Sequence, residues 1–267
     1  MKTTRSYIFF ITFILTIFHN ASFAEGTQEE FGTWGFAAFS GSARLFGKAL
    51  GLDDETSNKF HWSIMGMTRN RDDSFLSDPN AGASMNPRQE LFWSSLGYSI
   101  TPNASFWFGY SQYWDLNPNG THDSVSRPYQ DFLFTTNIGG GFTFTSRSRL
   151  EELFTVSGFD ATGDTLGDIG IRFRQLFGIS HAIPGTKNIS IYLSDELWEY
   201  LNSWGVNGDR NLAGFNQNHL ALGFNFRVNS NASVTLGYLG NYIHNTAPSS
   251  PDLLIHNVQL GFQYNFN

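Results

Sequence analysis

The chain has 267 residues, of which 15% are charged, 16% are aromatic and none is cysteine. The absence of cysteine excludes disulfide bonds and thiolate metal sites, and the net charge of −7 excludes the basic surface that nucleic-acid binding requires. Mean hydropathy is only −0.24 although 27 residues are phenylalanine, which indicates a structure with one apolar and one polar face.

The first 24 residues have the pattern of a secretory signal. Lys2 and Arg5 precede an uncharged run from Tyr7 to Phe18, and a Ser-Phe-Ala sequence ending at Ala24 supplies the small residues that a signal peptidase recognises. A run of about a dozen apolar residues is too short to cross a membrane as a helix. We therefore predict that the protein is exported and that residues 1–24 are removed.

Residues 25–58 carry two competing patterns. Trp34, Phe36 and Ala38 alternate as in a strand, whereas Trp34, Leu45 and Ala49 could lie on one side of a helix. One further strand would make the strand number odd, and bacterial outer-membrane barrels have even numbers. The prediction is an N-terminal segment in the barrel mouth or along the periplasmic rim, and a barrel of twelve strands is the alternative.

From residue 59 onward, apolar and polar residues alternate with a period of two, which is typical of strands with unlike faces. In the last strand, for example, Leu260 and Phe262 alternate with Gln259 and Gln263. Residues 59–267 are therefore predicted to form one all-β domain, an antiparallel up-and-down transmembrane β-barrel. Ten strands are expected, at residues 59–70, 88–101, 104–115, 129–138, 140–154, 167–181, 187–200, 216–228, 232–244 and 254–266.

The connections between these strands alternate in length. Short turns are predicted at residues 102–103, 139–141, 183–186 and 229–231, where Gly, Asn and Pro supply turn conformations. Longer polar segments are expected at residues 71–87, 116–128, 155–166, 201–215 and 245–253. Short turns at one end and long loops at the other are typical of an outer-membrane barrel. An even strand number also places both termini at the short-turn end.

Three features favour lipid rather than water around the apolar face. The polar faces contain few Lys and Glu residues, the strands are long enough to cross hydrocarbon at a tilt, and the chain ends near an aromatic residue, Phe266. The partners expected are outer-membrane lipid and, through the C-terminal strand, the barrel-assembly machinery. A soluble periplasmic or secreted barrel is the alternative. Residues expected in an interfacial aromatic girdle are Trp114, Trp198, Tyr200 and Tyr242.

The candidate functional residues are charged side chains that the alternation directs into the lumen. Buried charges are tolerated only where they pair, so a lumen filled with ion pairs is the first interpretation, and a narrow path for a ligand or permeant is the second. No metal site and no cofactor are expected, and the ligand is unknown. The candidates are Arg147, Arg149, Glu151, Arg172, Arg174, Glu196, His219 and Arg227.

The function predicted from these features is a structural, adhesive or narrow-transport role in the outer membrane. The alternative is an outer-membrane hydrolase, of the lipid deacylase or protease type, with a site in the barrel wall or in the loops. Asp72-Asp73 and His122-Asp123 would place carboxylates and a histidine in neighbouring long loops. Because such combinations are common in polar loops, we expect that the protein is not an enzyme.

The alternation also makes local predictions. Leu222, Phe224 and Leu260 should face lipid, whereas the lumen should receive Asn225, Gln259 and Gln263. In the strand at 187–200, Asp195 should face outward at the outer interface, and Glu196 should reach Arg172 or Arg174. A β-bulge between Leu193 and Glu196, which would turn Asp195 inward, is the alternative.

A succession of short motifs in the second half of the chain completes the sequence picture. They are Arg147–Glu151, Gly170–Arg174, Ser194–Trp198, Asn216–Leu220 and Leu236–Leu239. This succession resembles a family of bacterial outer-membrane β-barrels catalogued only as a domain of unknown function, most clearly over residues 140–266 and less clearly back to residue 59. The resemblance implies an outer-membrane barrel with no established activity. The family tends to carry arginine where this chain has Leu153 and His219, which implies a thinner charge network here.

Overall fold

The computed structural model describes residues 27–45, 47, 49, 51–72, 85–116, 122–156, 169–206, 209–245 and 251–266. The predicted signal at residues 1–24 lies outside these ranges and stays a prediction. Within them the chain is almost entirely β, and eleven strands close into one barrel. No helix in the described ranges is long and apolar enough to cross a membrane.

The barrel is built from strands that follow one another around the wall, and a small hairpin, β9–β10, extends from the long loop after β8. The order around the wall is β1-β13-β12-β11-β8-β7-β6-β5-β4-β3-β2. The elements are β1 (Gln28–Ser42), a 3-10 turn (Ala43–Leu45), α1 (Asp54–Lys59), β2 (Phe60–Asp72), β3 (Met85–Thr101), β4 (Ala104–Leu116), β5 (His122–Gly139), β6 (Phe142–Val156), β7 (Gly170–Ala182), β8 (Ile189–Tyr200), β9 (Trp204–Val206), β10 (Asp209–Asn211), β11 (Gly214–Arg227), β12 (Ala232–Ile243) and β13 (Leu253–Phe266).

The N-terminal strand corrects the predicted architecture. β1 is a wall strand, antiparallel to β2 and parallel to β13, so the predictions of ten or twelve strands were wrong. Residues 28–42 also do not lie in the barrel mouth or along the rim. Without β1, the facing edges of β2 and β13 would leave backbone N–H and C=O groups unpaired, and β1 pairs both edges. The inward ring of Phe36 lies so close to Gly261 that a Cβ there would stand 2.1 Å from it.

Because the number of wall strands is odd, the chain enters the wall at one end of the barrel and leaves it at the other. Gln28 at the start of β1 pairs with Leu253, beside the long loop between β12 and β13. Gly41 near the end of β1 pairs with Phe266, at the end that carries the short turns. The first and last strands therefore start at the long-loop end and finish at the short-turn end. The prediction that both termini lie at the short-turn end followed from an even count, and it was wrong for the start of the wall, because Gln28 lies at the long-loop end.

The segment between β1 and β2 lies at the short-turn end of the barrel, and its predicted placement along the periplasmic rim stays a prediction. The side chain of Asp53 caps α1 by accepting a hydrogen bond from the Thr56 backbone N–H at 2.6 Å. Hydrogen bonds from Thr56 also lower the pKa of Asp53 below its ordinary value. The helix is a single capped turn and a half that joins two neighbouring wall strands.

All ten strands predicted from residue 59 onward are present, with one large shift in a boundary. β5 begins at His122 rather than at residue 129, so most of the predicted loop at 116–128 belongs to the wall. The short turns fall where they were predicted. Gly139, Gly140, Gly141 and Gly185 have φ between 61° and 88°, in the left-handed region that favours glycine.

The strands place apolar side chains outside and polar side chains inside. Leu222, Phe224 and Leu260 face outward, and Gln259 and Gln263 line the lumen, as the alternation predicted. On each of the eleven wall strands, at least one large apolar side chain is between 37% and 69% exposed on the outer face. These side chains are Phe39, Ile64, Leu96, Phe108, Phe132, Leu150, Phe177, Leu197, Phe224, Leu236 and Leu260.

The register of β8 decides between the two predictions for Asp195. Pairing with β7 and with β11 continues without a shift through Asp195, so the bulge alternative was wrong. The carboxylate faces outward and accepts a hydrogen bond from the Asn218 side-chain amide at 2.6 Å. Its height relative to a bilayer stays a prediction.

Candidate functional site

The lumen contains a network of buried ion pairs centred on Glu151. This carboxylate accepts hydrogen bonds from Arg172 Nε at 2.7 Å, Arg174 Nη1 at 2.8 Å and Arg149 Nη1 at 3.4 Å. Glu151 is 0% exposed, and each of the three arginines is at most 7% exposed. β6 and β7 are neighbours, and alternate residues of both point inward, which brings these four side chains together. One buried carboxylate thus compensates several guanidinium groups.

Two further carboxylates extend the network along the wall. Glu196 on β8 accepts hydrogen bonds from Arg174 at 3.0 and 2.8 Å and from Arg147 at 2.5 Å. Asp131 on β5 is bound by two nitrogen atoms of Arg149, at 2.6 and 2.7 Å. Bidentate arginine–carboxylate pairs fix both the distance and the orientation of the two groups. The prediction that Glu196 reaches Arg172 or Arg174 is confirmed for Arg174.

An aromatic layer joins this network to the opposite wall of the barrel. Arg172 and Arg174 stack on Trp198 at 4.3 and 4.0 Å from the ring centroid. His219 packs between Trp198 and Trp34, at centroid distances of 4.3 and 5.3 Å. We call Trp34, Arg69, Trp198 and His219 the cross-lumen layer, because these side chains connect β1 and β2 with β8 and β11 through the interior.

The cross-lumen layer corrects the predicted aromatic girdle. Trp198 and Tyr200 are 3% and 6% exposed and face the lumen rather than an interface. Both residues share the inward side of β8 with Glu196, so strict alternation already excluded an outward position. Trp114 does face outward, 37% exposed. Tyr242 packs on Phe215 at the long-loop end and donates a hydrogen bond to Asp252.

The layer lies between two cavities. The loop-side cavity has a volume of about 350 Å³ and includes Arg127, Tyr113 and Trp204 in its lining. The turn-side cavity has a volume of about 530 Å³ and includes Trp93, Asp131 and Gln263. Three residues line both cavities, and they all belong to the layer: Trp34, Arg69 and Trp198.

The structure brings together seven of the eight predicted lumen residues. Arg227 is the exception, since it is exposed at the short-turn end of β11 and forms none of the described ion pairs. Leu153 packs with Tyr200 and Trp204 in an apolar cluster, so that position carries no charge. His219 occupies the second position at which the family tends to have arginine. Its side chain is polar, and its Nδ1 lies 3.9 Å from Glu196.

Several charged residues of the lumen were missed in the sequence. Asp131 lies on the inward side of a strand that was predicted. It is two residues from Tyr129 and therefore on the same side of the strand, which could have identified it. Arg127 was missed because it precedes Pro128 and was assigned to a loop. Arg71 and Glu30 form an ion pair between β2 and β1 that no local pattern signals, because β1 itself was not assigned to the wall.

Other described histidines also form polar contacts, and His256 Nδ1 lies 2.7 Å from the Tyr238 hydroxyl. His61 Nε2 lies 2.7 Å from Ser99 Oγ at the short-turn end of the lumen, and His244 Nδ1 lies 3.0 Å from Asp252 at the long-loop rim. No group of three or more metal-ligating residues was found among the described residues. The carboxylates and histidine suggested for a hydrolase, Asp72-Asp73 and His122-Asp123, lie outside the residues whose side chains are described.

A family model with the description "Protein of unknown function (DUF2490)" matches residues 48–251. This match covers the wall from β2 to β12 together with α1, whereas β1 and β13 lie outside it. Neither the comparison with curated proteins nor the comparison with solved structures found a match.

Proposed function

We propose that this chain, which belongs to the DUF2490 family of proteins of unknown function, is an integral outer-membrane β-barrel with a closed lumen. The observation that carries the proposal is the inverted polarity of the barrel. Its outer face exposes large apolar side chains on every wall strand, and its interior holds seven arginines, five of which pair with described carboxylates. A soluble barrel would have the opposite arrangement.

The physical chemistry of the outer face supports this location. Soluble monomers rarely expose contiguous apolar patches larger than a few hundred Å², whereas here exposed apolar side chains occur on all eleven strands. A closed barrel also satisfies the condition that lipid imposes, because every wall strand has a hydrogen-bonded neighbour on each side. Polar residues on the outer face pair with each other, as Asp195 and Asn218 do.

The test of the location is fractionation combined with gel mobility. We expect the protein in the outer-membrane fraction, resistant to carbonate extraction, and with a faster mobility in cold detergent than after boiling. A folded membrane barrel resists unfolding in cold detergent, whereas most soluble barrels do not. Recovery of the folded protein in the soluble periplasmic fraction would overturn the proposal and favour the soluble alternative.

The cross-lumen layer favours a closed or narrow path over an open pore. Charged groups and hydrophobic constrictions are devices by which channels restrict permeation, and here the Arg69 guanidinium and the indole rings of Trp34 and Trp198 lie between the two cavities. In planar bilayers we expect little conductance from the native protein. Trp34→Ala, which removes an indole shared by both cavities, should raise the conductance, whereas Trp114→Ala on the outer face should leave it unchanged. A wide open channel in the native protein would contradict a closed lumen.

We also propose that the long loops face the exterior and the short turns face the periplasm. In this orientation the start of β1 lies at the cell surface, and β13 ends at the periplasmic side. Because the chain contains no cysteine, single cysteines can test this orientation. A cysteine at Gln28 should react with an impermeant maleimide on intact cells, whereas one at Ser230 should react only after lysis. The reverse pattern would invert the orientation.

The C-terminal strand suggests how the barrel is assembled. β13 exposes Val258, Leu260 and Phe262 along its outer face and ends with the aromatic Phe266. We propose that the barrel-assembly machinery recognises this strand. Phe266→Ala should slow the appearance of the heat-modifiable form in cells, whereas Phe39→Ala on the neighbouring strand should slow it less. If the heat-modifiable form appeared at the same rate in the native protein, Phe266→Ala and Phe39→Ala, this role would be contradicted.

A hydrolase remains the alternative proposal, and the contact between His61 and Ser99 is the observation that favours it. A histidine within 2.7 Å of a serine hydroxyl has the geometry of a base and its nucleophile. Release of fatty acid from lipid vesicles by the native protein, and its loss in Ser99→Ala, would support this alternative. Equal release by native and Ser99→Ala protein would exclude this pair as the source.

A further inference from the structure

The loop-side cavity is lined by three kinds of side chain that together suit one kind of ligand. Cationic groups, aromatic rings and amides all contribute to a volume of about 350 Å³, which is at the small end of the range of roughly 300–1,000 Å³ for small-molecule sites. The arginines are Arg69, Arg71, Arg127 and Arg172; the aromatic residues are Trp34, Tyr113, Trp198, Tyr200 and Trp204; the amides are Asn70, Gln89, Gln217, Asn241 and Asn257.

Two of the four arginines already have carboxylate partners. Arg71 pairs with Glu30, and Arg172 pairs with Glu151. These pairs hold the cavity wall in place and leave little net charge. The other two arginines, Arg69 and Arg127, form no ion pair with a described carboxylate.

Arg127 is the clearer of these two unpaired cations. The residue is only 7% exposed, and its Nε has no hydrogen-bond partner in the described part of the chain. Its guanidinium lies over the ring of Tyr113, 4.4 Å from the centroid. Burying a cation without an anion is costly, so the site is prepared for an anionic group that would come from outside the protein.

Arg69 adds a second cation at the floor of the same cavity. Its Nη1 donates to the Gln89 side-chain oxygen at 3.1 Å, and its guanidinium lies 3.8 Å from the Trp34 ring centroid. Neither contact neutralises the charge. The carboxylate of Asp115 also lines the cavity and offsets part of this positive charge. It accepts a hydrogen bond from the Tyr113 hydroxyl at 3.4 Å. Among the described residues, the seven arginines of the two cavities outnumber the five carboxylates that line them or pair with them, Glu30, Asp115, Asp131, Glu151 and Glu196.

The uncharged lining restricts the rest of the ligand. Flat aromatic rings offer faces against which a ring of similar size can lie, and side-chain amides both donate to and accept from hydroxyl groups. The amide oxygen of Asn241 and the indole N–H groups of Trp198 and Trp204 are buried without a hydrogen-bond partner in the described part of the chain. A ligand with a ring, several hydroxyl groups and an acid satisfies all three kinds of lining.

We propose that the loop-side cavity binds an acidic sugar ring, a uronate or a sugar phosphate, with its acid group held by Arg127 and Arg69. Arginine binds carboxylate and phosphate through two parallel hydrogen bonds, which orients the acid as well as attracting it. The proposal rests on the proposed function in one respect. A sugar from outside the cell can enter this cavity only if the long loops face the exterior. The binding itself depends only on the folded barrel.

The experiment is calorimetric titration of the full-length barrel folded in detergent. The probes are glucuronate, glucose 6-phosphate, glucose and inorganic phosphate. We expect both acidic sugars to bind. Glucose, which lacks the acid group, and inorganic phosphate, which lacks the sugar ring, should each bind at least about tenfold more weakly. Binding of glucose as tight as that of glucuronate would overturn the proposal. Inorganic phosphate as tight as glucose 6-phosphate would reduce the site to an adventitious ion only.

The matched variants are Arg127→Gln in the loop-side cavity and Arg147→Gln in the turn-side cavity. Arg127→Gln should weaken binding of glucuronate about tenfold or more, because a charge-assisted hydrogen bond is lost, and Arg127→Lys should restore part of that loss. Arg147→Gln should leave the affinity nearly unchanged. Heat-modifiable mobility of each variant shows that it is folded. Equal effects of Arg127→Gln and Arg147→Gln would contradict the assigned cavity.

One further probe separates two sources of the same chemistry. A disaccharide that ends in glucuronate represents the end of an acidic surface polysaccharide, and glucuronate represents a free sugar acid. Tighter binding of either one supports the site and identifies its source. If neither probe binds to folded protein, the site proposal fails, whereas the membrane proposal is decided separately by fractionation.

Discussion

Two parts of the barrel wall solve the problem of luminal charge in different ways. On β5–β8, the carboxylates of Asp131, Glu151 and Glu196 are shared among four arginines in a continuous network. On the closing wall of β1, β2 and β13, the described luminal charges are one ion pair, Glu30 with Arg71, and the unpaired Arg69, and apolar and amide groups fill the remaining space. The network wall therefore depends on each carboxylate, whereas the closing wall depends mainly on backbone pairing and packing.

The largest expected effect follows from removal of the central carboxylate. Glu151→Gln leaves Arg172 and its neighbours buried without their anion, which should cost about 3–5 kcal/mol of the free energy of unfolding. Urea unfolding of the folded barrel in lipid vesicles, followed by tryptophan fluorescence, measures this cost. Glu199→Gln, at an exposed position of β8, is the control and should change the free energy little. Equal stability of both variants would contradict the network.

A second prediction compares the outer face with the lumen on one strand. Leu222→Arg would place a cation against lipid and should cost about 2–4 kcal/mol and impair assembly. Asn225→Arg on the same strand faces the lumen, where Asn225 accepts a hydrogen bond from Thr235 at 2.7 Å, and it should not incur the lipid penalty. Vesicle unfolding and the yield of heat-modifiable protein measure both effects. Equal damage from the two variants would contradict a membrane around the outer face.

A third prediction concerns the closing wall. Glu30→Gln removes the carboxylate that pairs with Arg71, but the Arg71 side chain is 26% exposed and can still reach water. The expected cost is therefore about 1.5–3 kcal/mol, the range for a hydrogen bond to a charged group, and smaller than that of Glu151→Gln in the same unfolding assay. A larger loss from Glu30→Gln would reverse the comparison and show that closure depends on this pair.

The smallest predicted effect depends on pH, at the long-loop rim. Burial raises the pKa of Asp252, but hydrogen bonds from Tyr242, the Asn245 backbone and His244 lower it to a net value below its ordinary range. A carboxyl with a lowered pKa in the folded state contributes stability above its ordinary pKa of 3.8, and this contribution is lost as the pH falls through the folded value. Asp252→Asn should cost about 1 kcal/mol at pH 7, with a smaller difference from the native protein near pH 3. A difference that does not change with pH would contradict this role.

Much of this architecture could be predicted from the sequence, and the errors have identifiable causes. The alternation located ten strands, their faces and their turns because successive side chains of a strand point to opposite sides. It missed the length of β5 because Pro128 interrupts the pattern, although proline is compatible with this strand. Trp198 and Tyr200 were assigned to the surface from their residue type, against the parity that placed Glu196 inside.

The sequence by itself determined which residues form strands and which side of each strand is polar, because that information is local. Only the tertiary structure decided how the barrel closes. The parallel pairing of β1 with β13 joins Gln28 to Leu253, and the pair of Glu30 and Arg71 depends on it. The contact of Trp34 with His219 likewise joins residues far apart in the chain. Such partners depend on the register and order of distant strands, and no periodicity within one strand contains that information.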